Sequence, residues 1–401
     1  MGSEHAGFPR ARHRACPEVS ERAQNVARQG ICVTSLYRKG LLLFWIMGIS
    51  ATPAPGRADS LTSALYVRTD TDKTLVVSPR AHASKRTDDQ TQLNFSYAAD
   101  IWTSASVDIR ASASKPVTEQ RNEIDAAITH ELGDLTLDFS YRYSAENDYA
   151  SQGASGGGSL NLASNSTTLA LGIYMFQDAV GRSGDPEFFR TLSTTGARAS
   201  LTQVLDPQML VQLTYELIHL DGYQASPYRV VGIGGTGFGC FGASFCLPEH
   251  QPSVRTKHAL AGLLRRALAD QLSVGADYRF FVDDWGLSSH TIALSASLIV
   301  GTNTLLTLRY RFYTQTGVSF YRAVYQSLPG PDMFTTRDRE QSPMHDHRIG
   351  LDLEQRSPLG DGSLRLLTIT SLGGTFYSYD DFRGLTDSRA LELTVSVGLE
   401  R

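Results

Sequence analysis

Apolar and polar residues alternate along most of the chain from Ser60 onward, which is the side-chain period of a β-strand. Between residues 135 and 143, Leu, Phe and Tyr occupy the odd positions, while Thr, Asp, Ser and Arg occupy the even ones. Residues 306–312 and 391–399 alternate in the same way. Each predicted strand therefore has an apolar side and a polar or charged side, as in a sheet whose two faces meet different surroundings.

Turn residues divide this pattern into sixteen predicted strands. These strands cover residues 74–86, 90–100, 103–115, 118–132, 135–147, 148–163, 167–180, 189–205, 208–222, 253–268, 271–284, 287–300, 303–317, 343–357, 363–380 and 386–400. Short connections such as Gly133-Asp134 fall at one end of the predicted sheet, and the long segments 181–188, 223–252 and 318–342 fall at the other. The pattern predicts an all-β fold, a transmembrane antiparallel up-and-down β-barrel with short periplasmic turns and longer extracellular loops.

Two segments leave alternatives open. Residues 62–69 fit either an additional strand or an extension of the first one. The apolar residues between 260 and 268 fit an amphipathic helix about as well as a strand, and the neighbouring pattern favours a strand. A soluble β-protein is the alternative to a membrane barrel. However, the predicted strands exceed the ~5–6 residues usual in soluble sheets, and aromatic residues such as Trp102 and Trp285 lie near strand ends, as in interfacial girdles.

The first 58 residues are expected to be a leader that includes a secretory signal peptide. A basic pair at residues 38–39 precedes the apolar run 41–47, and small residues precede a cleavage site between Ala58 and Asp59. The stretch ahead of the basic pair is longer than an ordinary n-region, so translation is expected to begin later, at a non-Met codon.

Cleavage there leaves residues 59–401 as the barrel domain. The leader holds eight of the 37 Lys and Arg residues and three of the 41 Asp and Glu residues, so the remaining chain carries a net charge of −9. Only Cys240 and Cys246 remain, and in an exported protein they are expected to form a disulfide. The near-neutral full chain gives no electrostatic footprint for nucleic acid, and no stretch approaches the ~20 apolar residues of a membrane-spanning helix.

Six segments carry a resemblance to a known family. They are Tyr143–Tyr149, Gly222–Arg229, Arg255–Leu260, Tyr278–Thr291, Arg309–Gln315 and Phe320-Tyr321. These segments resemble an uncharacterised family of bacterial outer-membrane β-barrels, one of the domain-of-unknown-function families. The resemblance implies an outer-membrane barrel of unassigned activity, and so a location rather than a chemistry. Barrels of this class usually end on an aromatic residue, whereas this chain ends Leu399-Glu400-Arg401.

If the apolar side faces lipid, the alternating polar side lines the lumen. The charged residues then expected to face the lumen are Glu123, Asp125, Asp138, Arg142, Glu216, Asp277, Arg279, Asp283, Arg309, Arg311, Arg348, Asp352 and Glu354. Such charges hold the barrel's shape through ion pairs, or they set the field that a permeating ion meets. The Gly-rich loop 223–252 is the best candidate for a constriction or lid, because a barrel of sixteen strands leaves an aqueous channel unless loops fold inward.

Catalytic and metal sites are weakly indicated. Ser288-Ser289-His290 follows the acidic pair at 283–284, but His290 shares the alternation of the apolar positions and points away from the lumen. His345 and His347 share a face as only two metal ligands, and a third such as Asp338 would have to come from a loop, so a solvated rim is favoured. No catalytic residue, metal or cofactor is expected.

The leading functional hypothesis is a porin-like passive channel or export conduit in the bacterial outer membrane, with a charged lumen that admits small solutes or ions. The alternative is a closed barrel that acts as a structural scaffold or receptor through its long loops. An outer-membrane hydrolase is the third and weakest hypothesis. The expected partners are outer-membrane lipid and the barrel-assembly machinery, and no nucleic acid.

Overall fold

The computed structural model describes residues 59–104, 117–234, 240, 242–360 and 363–400, which form β-strands over most of their length. The strands are β1 (Ser60–Asp70), β2 (Thr74–Arg86), β3 (Thr91–Ser104), β4 (Val117–Leu132), β5 (Leu135–Ala145), β6 (Tyr149–Leu162), β7 (Thr167–Arg182), β8 (Asp185–Asp206), β9 (Met209–Gly222), β10 (Val230–Ile233), β11 (Phe245–Pro248), β12 (Val254–Ala269), β13 (Leu272–Asp283), β14 (Ser288–Val300), β15 (Thr304–Gln315), β16 (Met344–Leu359), β17 (Leu364–Tyr379) and β18 (Asp387–Glu400). A short 3₁₀ helix covers Arg339–Gln341. Among these described residues, no helix is long and apolar enough to cross a membrane.

Sixteen of the strands form one closed antiparallel barrel, whereas β10 and β11 form a separate two-stranded sheet. Each barrel strand pairs with its neighbours in sequence, except that β9 pairs with β12 across the long loop that contains β10 and β11. The barrel closes where β1 pairs with β18, from Ser60 opposite Glu400 to Asp70 opposite Ala390. The prediction of an all-β, up-and-down barrel of about sixteen strands is confirmed.

Two strand boundaries differ from the sequence-based prediction in the first quarter of the chain. Residues 62–69, for which the sequence fitted either an additional strand or an extension of the first one, belong to an additional strand, β1. This strand closes the barrel. The break predicted between the strands 90–100 and 103–115 is wrong, because β3 runs from Thr91 to Ser104 without interruption; residues 105–116 lie outside the described part of the chain. Asp100 lies within β3, where its carboxylate accepts a hydrogen bond from Arg121 Nε at 3.0 Å.

The structure also decides the conformation of two further segments, one predicted as a loop and one whose spacing fitted either a helix or a strand. Residues 181–188, expected as a long loop, mostly continue β7 and β8, and Arg182 pairs with Asp185 next to a tight turn in which Gly184 has φ of 82°. An ion pair between those two side chains supports this turn. The segment 254–269, whose spacing also fitted a helix, is strand β12, because both of its backbone edges pair with neighbouring strands.

The two ends of the barrel differ in the length of their connections. At one end, the short-turn end, lie the first residue of β1, the last residue of β18 and tight turns such as 133–134 and 301–303. In these two turns Gly133 and Gly301 both have φ of 64°, a left-handed conformation that glycine adopts readily. In the turn that follows β2, backbone N–H groups, first that of Gln90, lower the pKa of the Asp88 carboxyl. The other end, the long-loop end, carries the segments 223–253 and 316–343.

The apolar side chains point away from the charged ones on the same strand. On β5, Leu137, Phe139 and Tyr141 are exposed, whereas Arg142 bonds to Asp125 of the neighbouring strand. Because a closed barrel has one outer and one inner face, and because the cap described below packs on the charged face, we take the charged face as the interior and the apolar face as the outer wall. Within the described chain, the buried apolar clusters lie at the long-loop end, where residues of the loops and turns pack on one another and on the nearby parts of the strands.

Candidate functional site: a charged interior and a cap across its mouth

The thirteen charged residues expected to face the lumen all occupy alternating positions opposite the exposed apolar residues of their strands. Many of them are brought together across neighbouring strands as ion pairs. Arg142 lies 3.2 Å from Asp125 and 3.7 Å from Glu123, both on the adjacent strand β4. Arg311 bonds to Asp346 at 2.8 Å, and Arg309 to Asp352 on the same strand pair.

Several partners in these pairs were missed by the sequence reasoning. They are Asp346, which binds Arg311; Glu392, which binds Arg348; Arg265, which binds Asp277; Arg255, which binds Asp283; and Arg356, which lies 2.6 Å from Glu354. The two arginines of β12 were obscured by the helical spacing of that segment. The same rule of alternation, applied to β16 and β18, places Asp346 and Glu392 on the charged face.

The interior charges differ widely in their access to solvent. The Asp283 side chain is fully enclosed and is held by Arg255, Trp285 N and Leu287 N, so it is a structural part of the wall. By contrast, the Arg309 side chain, in the middle of β15, is 62% exposed although it faces the interior. A side chain at mid-height can keep that much exposed surface only where no other side chain fills the space beside it, so the interior is open at this level.

The two long loops pair with each other and form one unit, the cap, defined as residues 223–234, 242–253 and 316–343. Within it, β10 pairs with β11, and Ile233 forms a parallel bridge to Tyr325 of the other loop. Thr335 N donates to His250 O at 2.6 Å, and His250 N donates to Thr335 O at 3.1 Å. The backbone of one loop therefore completes the hydrogen bonds of the other.

The cap is attached to turns on one side of the barrel rim. Arg339 forms a 2.6 Å ion pair with Asp72 in the turn between β1 and β2. The Tyr321 hydroxyl donates to the backbone oxygen of Asp381, in the turn between β17 and β18. β15 and β16 carry this loop; the turn between β17 and β18 starts on the strand next to β16, and the turn between β1 and β2 starts on the third strand from it.

The cap is also attached on the other side of the rim. The Tyr228 hydroxyl donates to the carboxylate of Asp148, in the turn between β5 and β6. Ser319 N donates to Trp285 O at 2.9 Å, in the turn between β13 and β14. Because these anchoring turns are distributed around the ring, the cap spans the mouth of the barrel at the long-loop end.

An apolar cluster fixes the cap to the inner wall. It is composed of residues from β12, β13, the following turn and the second long loop: Ala259, Phe281, Trp285, Leu287, Val318, Tyr321 and Ala323. Ala259 and Phe281 alternate with outward residues on their strands, so the loop packs on the charged face of the wall rather than on the apolar one. The second long loop therefore folds inward at the mouth.

A buried carboxyl group lies where the two loops of the cap meet. Glu249 accepts a hydrogen bond from Arg337 N at 2.7 Å and another from the Gln251 side chain at 3.1 Å. Burial raises the pKa of Glu249 to about 7, while nearby Arg229 lowers it and Asp338 raises it further. Arg229 and Asp338 form an ion pair beside it. Of the titratable groups in the cap, Glu249 is thus poised to change charge near neutral pH.

Cys240 and Cys246 are bonded to each other, with their Cα atoms 5.6 Å apart. Cys246 lies in β11, directly opposite Gly232 of β10. The bond ties the connection between these two short strands to the cap. Sequence reasoning placed the pair in the loop 223–252, the candidate for a constriction or lid, and the structure places the described part of that loop in the cap.

The residues weighed for catalysis and metal binding are kept apart. Ser289 is buried on the inner face, while the His290 ring points outward and its Nδ1 lies 2.8 Å from the Tyr278 hydroxyl. Asp338 is paired with Arg229 in the cap, whereas the rings of His345 and His347 lie on the outer face of β16. No three His, Cys, Asp or Glu side chains of the described chain are grouped to hold a metal ion.

Comparison with protein families identifies the chain's relatives. A family model described as "Protein of unknown function (DUF3570)" matches residues 107–192 and 190–352, which together exceed half of the chain. The chain belongs to this family. The match covers all six segments that resemble a family of outer-membrane barrels. A comparison with curated protein sequences finds no match.

Among solved structures, the chain is similar to several outer-membrane proteins at low identity. A "Bacterial polysaccharide outer membrane secretin" has 8% identity and a TM-score of 0.49, covering 85% of this chain and 98% of that one. The "CymD monoaromatic hydrocarbon channel" has 10% identity and a TM-score of 0.41, covering 93% and 96%. OccK2 of Pseudomonas aeruginosa has 8% identity and a TM-score of 0.42, covering 86% and 97%. The fold assignment rests on the strand pairing of this chain itself.

Proposed function

We propose that this protein is an outer-membrane channel or export conduit, whose charged interior passes small solutes or ions and whose mouth is spanned by the cap. The observation that carries the proposal is the solvent exposure of Arg309 at mid-height of the barrel. An interior serving only as packed scaffold would enclose that side chain, as it encloses Asp283. The proposal includes insertion in the outer membrane after loss of the leader, with the long-loop end outside the cell.

The ion pair of Arg309 and Asp352 gives a test in which two substitutions are expected to shift ion selectivity in opposite directions. After refolding of residues 59–401 in detergent, the folded barrel is recognised by its heat-dependent gel shift and then inserted in a planar bilayer. Discrete conductance steps are expected. Arg309→Ala removes a positive charge from the open interior and shifts the reversal potential toward cation selectivity, whereas Asp352→Asn shifts it toward anions. Arg190→Ala, which removes an exposed charge from the β7–β8 hairpin, is the matched control and leaves the selectivity unchanged.

A closed scaffold or receptor is the second candidate function. It is favoured by the attachment of the cap to turns on both sides of the rim. A well-folded barrel that stays electrically silent, and that remains silent when the anchor Arg339 is replaced by Ala, would contradict the channel and favour the scaffold. The cap would then be the surface on which to look for a partner.

A further inference from the structure

The outer wall carries three hydrogen-bonded pairs of one tyrosine and one histidine on consecutive strand pairs. The Tyr215 hydroxyl lies 2.8 Å from His258 Nδ1, the Tyr278 hydroxyl 2.8 Å from His290 Nδ1, and the Tyr310 hydroxyl 2.9 Å from His347 Nδ1. The three histidines lie on β12, β14 and β16, so neighbouring pairs are two strands, or about 10 Å, apart. We call these the Tyr–His pairs.

Each Tyr–His pair lies at the edge of the apolar band. On the outer face of the three histidine strands, the next residue toward the short-turn end is Leu260, Ile292 or Ile349, which are 46%, 44% and 53% exposed. The next outward residue toward the long-loop end is instead polar: Thr256, Ser288 or His345. The wall thus changes from apolar to polar at the histidines, which is the level of lipid headgroups around a membrane barrel.

The tautomer of each histidine sets what its outer nitrogen offers to the surroundings, and the distance from Nδ1 to the tyrosine hydroxyl fits either tautomer. We take the tautomer in which the tyrosine hydroxyl donates. A tyrosine hydroxyl that donates to Nδ1 leaves the proton of the neutral imidazole on Nε2. Within the described chain, Nε2 of these three exposed rings has no hydrogen-bond partner. An N–H group without a partner beside hydrocarbon costs free energy, and an anionic phosphate oxygen is a stronger acceptor for it than a neutral group.

We propose that the three Tyr–His pairs bind the terminal phosphate groups of anionic lipid headgroups, one headgroup at each pair. The imidazole Nε2–H donates to a phosphate oxygen, and the acyl chains lie along the exposed apolar residues below the pair. Phe280 and Phe312 pack against two of the rings, with centroids 5.2 Å from His290 and 5.0 Å from His347, and hold them at a fixed orientation. This inference is independent of any transport by the barrel.

The test is lipid retention by the full chain, expressed with its leader and extracted from membranes in detergent. The protein is exchanged into vesicles of dioleoyl phosphatidylcholine with a minor share of dioleoyl phosphatidic acid, re-extracted, and analysed by native mass spectrometry. The wild type is expected to retain phosphatidic acid over phosphatidylcholine by about fivefold relative to the vesicle composition. The combined variant His258→Phe, His290→Phe and His347→Phe keeps the aromatic rings, removes the donors and is expected to lose this enrichment.

His130→Phe is the matched control. His130 also bonds a hydroxyl, with Nδ1 3.0 Å from Thr91 Oγ1, but it lies near the short-turn end of β4. Enrichment that survives in this control and disappears in the triple variant, with the heat-dependent gel shift of both intact, supports the proposal. Equal enrichment in the wild type and the triple variant overturns it, as does equal loss in the control. Displacement of the retained lipid by excess inorganic phosphate would assign the sites to soluble phosphate, and would also overturn the lipid proposal.

Discussion

Replacing Glu249 by Gln tests whether the buried carboxyl group at the loop junction controls the stability of the cap. In the closed cap Glu249 has a pKa of about 7 against an ordinary value of 4.5, because burial disfavours its charge. Opening the cap returns the side chain to water. The closed state therefore holds the proton more tightly than the open state between these two values, and the cap loses stability as the pH rises through about 7.

The size of the effect follows from the two pKa values. Between pH 6 and pH 8 the closed state loses about 1.3 kcal/mol relative to the open state, which is close to a tenfold change in the opening equilibrium. Arg229 and Asp338, which face Glu249, form an ion pair with each other. Glu249→Gln keeps a side chain of the same shape and cannot ionise, so the cap of this variant is expected to lack the pH-dependent loss.

Amide hydrogen exchange measures this equilibrium directly. The amides of Gly234, His250 and Thr335 bond within or between the two loops and report on opening of the cap. The exchange rate of each amide in the wild type is divided by its rate in Glu249→Gln, because the intrinsic effect of pH on exchange is the same in both proteins and cancels. This ratio is expected to rise about tenfold from pH 6 to pH 8. Asp332→Asn, which changes an exposed acid of the same cap, is the control. A ratio that is unchanged between the two pH values would refute the reasoning.

Three further predictions concern the cap and the wall. Arg339→Ala removes the ion pair with Asp72 and, if the barrel conducts as proposed, is expected to raise its open probability in single-channel records, because one side of the cap loses its anchor. Phe281→Ala opens a cavity under the cap and is expected to lower the free energy of opening the cap by about 3 kcal/mol, as measured by amide exchange of the cap in increasing urea. Gly196→Val places a side chain in the space that the ring of Tyr174 now fills, and is expected to lower barrel stability by about 1–3 kcal/mol on heating.

The alternation of residues determined the class of fold and the charged side of the wall. A strand's side chains alternate with a period of two, so any residue's face follows from its neighbours without knowledge of the rest of the chain. For this reason Arg142 and Asp125 could be assigned to the same face before the structure was known. Boundaries were less determined, since the break predicted between residues 100 and 103 lies within β3, where Asp100 pairs with Arg121 of the neighbouring strand.

The expected signal peptide, with cleavage between Ala58 and Asp59, falls outside the described residues except for Asp59, and stays a prediction. The closure of the barrel through residues 62–69 required the tertiary structure. Their pattern fitted a strand, but a strand's partner is chosen by the register of distant backbone groups. Here that partner is the last strand, β18.

The sequence by itself determined that this protein forms a strand-rich barrel with a charged inner face, because strand periodicity is a local property. Only the tertiary structure decided how the two long loops combine, because their residues carry no periodic pattern and meet through contacts between distant parts of the chain. The same holds for the Tyr–His pairs: each tyrosine and histidine could be assigned to the outer face from alternation, but the pairing of Tyr310 with His347 follows from the register between β15 and β16.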